Sequence, residues 1–138
     1  KVASYEPADG TVYNYYTTLD GVMQKEDPTN WEFVVPDKLK QLWRTRDFGR
    51  YALPDGRMPV CFIVDTDNTG GYSGSPVFNA KGELIGTAFD RNYEGLTGDI
   101  AFRSSSQRAA CVDIRYTLFI IEKYAGASHL IDELDIAK

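Results

Sequence analysis

Histidine and cysteine are scarce in this sequence. His129 is the only histidine among 138 residues, and Cys61 and Cys111 are the only cysteines. This set can form neither a four-cysteine zinc site nor a site that combines two cysteines with two histidines. The acidic segment 65–70 does not complete an EF-hand calcium loop, because Pro76 stands where that loop needs its bidentate glutamate. We therefore predict neither a metal nor a cofactor.

The two cysteines leave two alternatives open. They could form one disulfide, or both could remain as buried thiols, because the sequence alone does not give the distance between them. The chain begins with Lys1 rather than Met and has no signal-like stretch. We expect it to be a processed product or a piece of a longer protein.

Positive charge and long apolar runs are also lacking. Lys and Arg total 15 against 20 Asp and Glu, for a net charge of -5, which argues against nucleic-acid binding. The apolar runs, such as residues 62–64 and 118–121, are far shorter than the roughly 20 residues of a membrane-spanning helix. Hydrophobic residues make up 43% of the chain and aromatic residues 13%, too much for a disordered segment. The length predicts one globular domain over residues 1–138.

Turn-forming dipeptides with glycine divide the sequence into short segments rich in residues that favour strands. We predict strands over residues 11–19, 60–64, 77–78, 84–89, 100–102 and 110–112. Asp20-Gly21 is predicted to turn the first of these into a hairpin, and residues 79–82 to close a second hairpin.

Two segments have helical spacing instead. Residues 36–46 carry Leu39, Leu42 and Trp43 on one face, and residues 113–124 form a second amphipathic pattern that ends before Gly126. Together these patterns predict a mainly antiparallel β domain, a small barrel with an internal helix and a C-terminal helix.

The glycine-rich segment 69–76 is the strongest chemical signal. It places Ser73 between Gly71 and Gly74, directly before a predicted strand. A nucleophilic serine needs its hydroxyl on a tight turn and two N–H donors for the oxyanion, which Gly71 and Ser73 could provide. The alternative is a plain Gly/Ser turn without chemistry.

A base for Ser73 is missing from the sequence. No histidine precedes Ser73, and His129 is interpreted as a residue of the terminal helix rather than a general base. The sequence after Gly71 also lacks the last glycine of the nucleophile elbow, which disfavours an α/β-hydrolase fold. If Ser73 is a nucleophile, its base comes from residues outside this chain, and we expect the chain alone to be inactive.

Several blocks of sequence together resemble one family. The blocks are Thr69-Gly70-Gly71-Tyr72-Ser73-Gly74-Ser75-Pro76-Val77, Gly82-Glu83-Leu84-Ile85-Gly86, Phe89-Asp90-Arg91-Asn92, Gly98-Asp99-Ile100 and Val112-Asp113-Ile114-Arg115-Tyr116. They are similar to the bacterial serine dipeptidyl-peptidases of the 7 and 11 types, and the resemblance covers nearly the whole chain. It implies a chymotrypsin-like double β-barrel interrupted by a helical domain. This chain resembles the second, C-terminal barrel, with the triad His and Asp on the first.

The resemblance also implies roles for individual residues. Ser73 matches the nucleophile, and the N–H groups of Gly71 and Ser73 match the oxyanion hole. Asp90 matches the carboxylate that helps to hold the free α-amino group of the substrate. Arg91 matches the position that determines the second substrate residue. In the family, arginine at this position accompanies a preference for Asp or Glu, and glycine accompanies a preference for apolar residues. Tyr72 departs from the pattern, since the family usually has Asn before the nucleophile.

The implied function is release of N-terminal dipeptides whose second residue is acidic. The implied partners are peptides with a free N-terminus, the missing barrel and helical domain of the same protein, and a second copy in a homodimer. The implied location is the periplasm or cell surface of a Gram-negative bacterium. Two alternatives remain: the same chemistry with an apolar second-residue preference, and a non-catalytic β-barrel binding module.

Overall fold

The computed structural model describes residues 1–137, which divide into two compact units. The first unit contains residues 1–17 and 61–114, and the second contains residues 18–60 and the segment that starts at Arg115. The single domain expected over residues 1–138 stays a prediction.

Seven strands form two sheets in the described part of the chain. The strands are β1 (Tyr5–Ala8), β2 (Thr11–Tyr13), β3 (Tyr16–Thr18), β4 (Pro59–Val64), β5 (Pro76–Phe78), β6 (Leu84–Arg91) and β7 (Ala109–Asp113). A two-stranded sheet pairs β1 with β2, and a five-stranded sheet has the order β3-β4-β7-β6-β5. The pairs β1–β2, β4–β7, β7–β6 and β6–β5 are antiparallel. The mainly antiparallel β fold is confirmed, whereas its closure into a chymotrypsin-like barrel stays a prediction.

Four α-helices lie among the described residues, with short helical turns between them. The helices are α1 (Leu19–Gln24), α2 (Asp37–Thr45), α3 (Ile114–Phe119) and α4 (Ser128–Ile131). The 3-10 turns are Trp31–Phe33, Gly49–Tyr51 and Tyr93–Thr97, and a π-helical turn, Ile120–Tyr124, continues α3. No helix within residues 1–137 combines the length and the apolar character that a membrane crossing requires.

Both predicted helices are present. Pro36 precedes α2 as its N-cap, with a φ of -58° that suits the ring, instead of occupying the first helical position. The terminal helix starts at Ile114, and the chain leaves it through Gly126 with a φ of +72°.

One hairpin prediction and one strand prediction are wrong. Asp20-Gly21 forms no hairpin turn and lies inside α1. The first residue of α1, Leu19, is 1% exposed and donates its N–H to the Met58 carbonyl oxygen. Burial of Leu19 outweighs the turn preference of the dipeptide. Residues 100–102 form no strand either. The N–H groups of Ile100 and Ala101 both donate to the Thr97 carbonyl oxygen, and the Ile100 side chain is 93% exposed, so it gains no burial from a sheet.

The core of the first unit lies on one face of the five-stranded sheet. Period-two alternation brings together Phe62, Val64, Ala88, Ala109 and Cys111. Strands β4 and β7 place Cys61 opposite Val112 and Cys111 opposite Phe62. Because residues directly opposite share a face, the two cysteines project from opposite faces of the sheet. Both thiols are free, which decides between the two alternatives left open by the sequence.

Candidate functional site

The loop around Ser73 connects β4 to β5 in the first unit, and two glycines define its path. Gly71 and Gly74 have φ values of +98° and +92°, in the left-handed region that residues with a Cβ rarely adopt. The Gly74 N–H donates to the Ala88 carbonyl oxygen at 2.8 Å, and the Ala88 N–H donates to the Ser75 carbonyl oxygen at 2.9 Å. These bonds attach the loop to β6.

The loop exposes a hydroxyl and two free donors. Ser73 is exposed, and its Oγ donates to the Phe89 carbonyl oxygen at 3.3 Å. Within residues 1–137, the N–H groups of Gly71 and Ser73 have no hydrogen-bond acceptor. Chemically, such a loop can offer a nucleophile together with donors for a developing oxyanion. The assignment of Ser73 and Gly71 as catalytic residues stays a prediction.

Tyr72 and His129 are both exposed side chains. Tyr72, which departs from the family pattern, is 51% exposed. His129 lies in α4 of the second unit, a terminal helix as the sequence indicated, and its side chain is exposed. The described residues contain no group of three His, Cys, Asp or Glu side chains suited to a metal ion.

A β-bulge at Phe89 places the next two residues. The register between β6 and β7 shifts between Ala88 and Asp90, so that Ala88 pairs with Cys111, Asp90 with Ala110 and Arg91 with Ala109. The extra residue turns the Phe89 carbonyl oxygen toward Ser73 and changes the face on which the following residues lie. By this register, Asp90 and Arg91 leave the strand on opposite faces.

Asp90 is exposed and anchored at two points. Its Oδ1 accepts the Arg91 N–H at 2.8 Å, and its carbonyl oxygen accepts a hydrogen bond from Asn68 Nδ2 at 3.0 Å. The carboxylate Oδ2 has no protein donor within residues 1–137 and remains open to solvent or to a cationic ligand. Its role toward a substrate α-amino group stays a prediction.

Arg91 carries a fixed ion pair. Its side chain is 19% exposed, and Nη1 and Nη2 donate to the two carboxylate oxygens of Asp99 at 2.8 and 3.0 Å. Nη1 also donates to the Asn68 carbonyl oxygen at 3.1 Å. The guanidinium, followed by the Thr69 hydroxyl, holds the pKa of Asp99 well below its usual range, and the same ion pair raises the pKa of Arg91.

Three residues around the Arg91 ion pair did not follow from the sequence. Asn68 lies in the polar segment before the nucleophile loop, Thr69 is the first residue of the glycine-rich segment 69–76, and Asp99 lies eight residues beyond Arg91. The 3-10 turn Tyr93–Thr97 brings Asp99 back to Arg91. Asp99 lies in the block Gly98-Asp99-Ile100, which contributes to the family resemblance, but this block does not indicate that Asp99 pairs with Arg91.

Comparison with known proteins gives closely similar sequences and structures. The chain is 64% identical over 137 residues to "Dipeptidyl-peptidase 7" of Phocaeicola vulgatus, which covers 99% of this chain and 19% of that protein. It is 57% identical over 136 residues to the "Asp/Glu-specific dipeptidyl-peptidase" of Porphyromonas gingivalis, with the same coverages. The crystal structure of Porphyromonas endodontalis DPP11 superposes with a TM-score of 0.94 at 55% identity, over 96% of this chain and 19% of that one.

The match to a family covers nearly every residue. The chain spans about 19% of the length of the two curated relatives described above. The model of one family, peptidase S46, matches residues 1–136. This chain therefore belongs to the peptidase S46 family.

Proposed function

We propose that this chain carries the nucleophile of a serine dipeptidyl-peptidase that releases N-terminal dipeptides with Asp or Glu as second residue. The observation on which the proposal depends is the loop at Ser73, where an exposed hydroxyl lies beside the free N–H groups of Gly71 and Ser73. In this reaction the Ser73 oxygen attacks the carbonyl carbon of the second residue, its proton passes to a base, and the two N–H groups stabilise the oxyanion. The bond to the nitrogen of the third residue then breaks, and that nitrogen leaves with the proton from the base. Water hydrolyses the ester on Ser73 and releases the dipeptide.

The base belongs to a part of the protein outside this chain, in this proposal. Within residues 1–137 the Ser73 hydroxyl donates its hydrogen bond to a backbone carbonyl and not to a side chain that could accept its proton. We propose that the missing His and Asp lie on another barrel of a longer protein, together with a helical domain. The small share of the relatives' length that this chain spans supports that arrangement.

Acidic specificity is proposed for Arg91, and recognition of the free N-terminus for Asp90. The guanidinium is a cation in a chain with a net charge of -5, so an acidic substrate needs such a local partner. One relative is named Asp/Glu-specific, and the solved DPP11 of P. endodontalis is described in complexes with the dipeptides Arg-Glu and Arg-Asp. These relatives support an acidic second residue for this chain.

A second candidate is the same chemistry with an apolar second residue. The Arg91–Asp99 pair favours it, because Asp99 already neutralises the guanidinium. The relative at 64% identity is named without a stated specificity.

The two candidates differ in their response to substitution at Arg91. Matched reporter dipeptides with Asp or Leu as second residue should be assayed with the full-length protein that contains this chain. Acidic specificity predicts that Arg91→Gly abolishes the preference for Asp. An unchanged preference would exclude the role of Arg91.

The nucleophile has its own test. A serine-reactive phosphonate should label the full-length protein at Ser73, and Ser73→Ala should abolish both labelling and turnover. Ser75→Ala, two residues along the same loop, is the matched control and should keep the label. If Ser73→Ala retained wild-type turnover, or if neither reporter were cleaved by the wild type, the non-catalytic module would be the better interpretation.

Location and assembly complete the proposal. We propose a periplasmic or cell-surface enzyme of a Gram-negative bacterium that acts as a homodimer. Cell fractionation with an antibody to the full-length protein, and sedimentation of the purified protein, test the two statements separately. Recovery in the cytoplasmic fraction, or a monomer at all concentrations, would contradict them.

A further inference from the structure

We propose that Asp99 is a positioning residue for acidic specificity: it fixes Arg91 so that one edge of the guanidinium faces the substrate carboxylate. The inference rests on the proposed function, because it assigns Asp99 a role in the recognition step proposed for Arg91. It concerns a residue that the substrate itself need not contact.

The protein partners of Arg91 leave two of its N–H donors unused. A guanidinium has five N–H groups in one plane. Asp99 accepts one from Nη1 and one from Nη2, and the Asn68 carbonyl oxygen accepts the other from Nη1. The Nε–H and the second N–H of Nη2 remain, and no atom of residues 1–137 accepts either.

The two remaining donors of Arg91 lie on one edge of the guanidinium. Nη2 lies on the same side of the guanidinium as the Nε–H, so these two N–H groups point along one edge and run parallel. That edge matches the spacing of the two oxygens of a carboxylate, which it can bind in a bidentate manner. Asp99 and a substrate carboxylate can therefore bind Arg91 at the same time, on different edges.

Selectivity for an acidic second residue does not come from an unpaired charge on Arg91. With Asp99 bound, the Arg91 charge is already paired, so an apolar side chain beside it does not leave an unpaired buried cation. Selectivity then comes from the two hydrogen bonds that an acidic side chain gains at the free edge. Those bonds need the edge held in place before the substrate arrives.

Neighbouring residues support both Asp99 and Arg91. After Arg91, the Thr69 side chain is the second cause that lowers the pKa of Asp99, so it favours the ionised carboxylate. Asn68 holds the other side of the guanidinium through its carbonyl oxygen, while its Nδ2 holds the Asp90 carbonyl oxygen. Asn68 and Thr69 therefore support the two sides of the Arg91 ion pair.

Steady-state kinetics of Asp99→Asn in the full-length protein test the proposal. We expect KM for the reporter with Asp as second residue to rise about tenfold, the effect of losing one hydrogen bond between charged groups. We expect kcat for that reporter, and both constants for the Leu reporter, to change by less than about twofold. An unchanged KM for the Asp reporter would overturn the proposal. A lower KM would also overturn it, because it would show that Asp99 competes with the substrate for Arg91.

Asp67→Asn is the matched control. Asp67 is exposed and acts on Arg91 only through its charge, without a hydrogen bond to it. The control removes the same charge near the guanidinium, so it should not raise KM for the Asp reporter. Equal increases in the two variants would indicate a general electrostatic effect and would overturn the positioning role.

A second variant tests the same role if Asp99→Asn does not fold. Thr69→Val removes the hydroxyl that supports Asp99 and leaves both charges in place. We expect it to raise KM for the Asp reporter in the same direction by about threefold, with kcat unchanged. No change in KM in a folded Thr69→Val protein would then count against the proposal.

The Arg91→Gly background separates this proposal from the proposed function. Asp99→Asn should have no further effect there, because the residue that it positions is gone. A wild type without preference for Asp, or a preference that survives Arg91→Gly, contradicts the proposed specificity. A preference that is lost in Arg91→Gly and retained in Asp99→Asn contradicts the positioning role alone.

Discussion

Arg108 stacks on Tyr5, with its guanidinium carbon 5.3 Å from the centroid of the ring. Arg108 is 6% exposed and Tyr5 is 8% exposed, so the charge is buried and needs partners. Nη1 donates to the carbonyl oxygens of Ser104 and Gln107 at 2.6 and 2.8 Å, and Nε donates to that of Ala3 at 3.3 Å. One side chain thereby joins the N-terminal segment to the loop before β7.

Arg108→Lys should destabilise the first unit. A lysine carries its donors on one nitrogen and cannot reach the same set of oxygens or present a flat face to Tyr5. We expect the free energy of unfolding in urea to fall by about 2–3 kcal/mol. Arg103→Lys is the control, because Arg103 is exposed, and should change it by less than about 0.5 kcal/mol. Equal effects of the two substitutions would contradict the role of Arg108.

Two Gly→Ala substitutions should have opposite effects. A Cβ at Gly86 would lie 2.4 Å from the Val112 carbonyl oxygen and 2.6 Å from the Phe62 ring, so a strand or the core must move. We expect Gly86→Ala to lower the free energy of unfolding by about 3 kcal/mol or more. Gly21 lies inside α1 with open space around it and no positive φ, so Gly21→Ala should raise it by about 0.5–1 kcal/mol. Urea denaturation measures both, and a stable Gly86→Ala protein would contradict the first expectation.

Tyr51 in the second unit should make stability depend on pH in the alkaline range. Its side chain is 2% exposed and its hydroxyl donates to Glu122. Burial, reinforced by Glu122, raises the pKa of Tyr51 from 10.0 to about 12. Above the unfolded pKa the unfolded chain loses this proton while the folded chain keeps it. The stabilisation is therefore complete below the unfolded pKa and is lost as the pH rises toward the folded pKa, by about 1.4 kcal/mol per pH unit.

Tyr51→Phe isolates this contribution. The variant has no hydroxyl to titrate, so its free energy of unfolding should fall less steeply than that of the wild type above the unfolded pKa. Absorbance of tyrosinate should also show that the phenol that titrates near pH 12 in the folded wild type is missing from the variant. Parallel pH profiles for the two proteins would contradict the assignment.

The sequence could predict most strands but not the position of Asp90. Strands β4, β6 and β7 have enough apolar residues to be recognised, and Ala88 faces the core as alternation requires. Continued alternation would place Asp90 on the same face as Ala88, with a carboxylate in the core. The bulge at Phe89 prevents this, and an extra residue in one strand is visible only through its pairing with the other.

The error at Asp20-Gly21 has a different cause. The dipeptide favours turns, but Trp43 Nε1 donates to Asp20 Oδ1 at 2.7 Å, and Arg46 donates to the same oxygen at 3.1 Å. Asp20 also lies in the first turn of α1, where a negative charge is favourable. These contacts come from α2 and the residue that caps it, so local preference could not reveal them. The Arg91–Asp99 pair escaped prediction for the same reason.

The two cysteines should behave as separate thiols. Cys111 is 0% exposed, and burial raises its pKa to about 11, while burial also raises the pKa of Cys61. At about pH 8 only about one Cys111 in a thousand is a thiolate, so Ellman's reagent should react slowly with the native protein. In denaturant without a reductant we expect both thiols to react, and dithiothreitol to leave the midpoint of thermal unfolding unchanged. Recovery of thiols only after reduction would indicate a disulfide bridge. That result would contradict the positions of the two residues on opposite faces of the sheet.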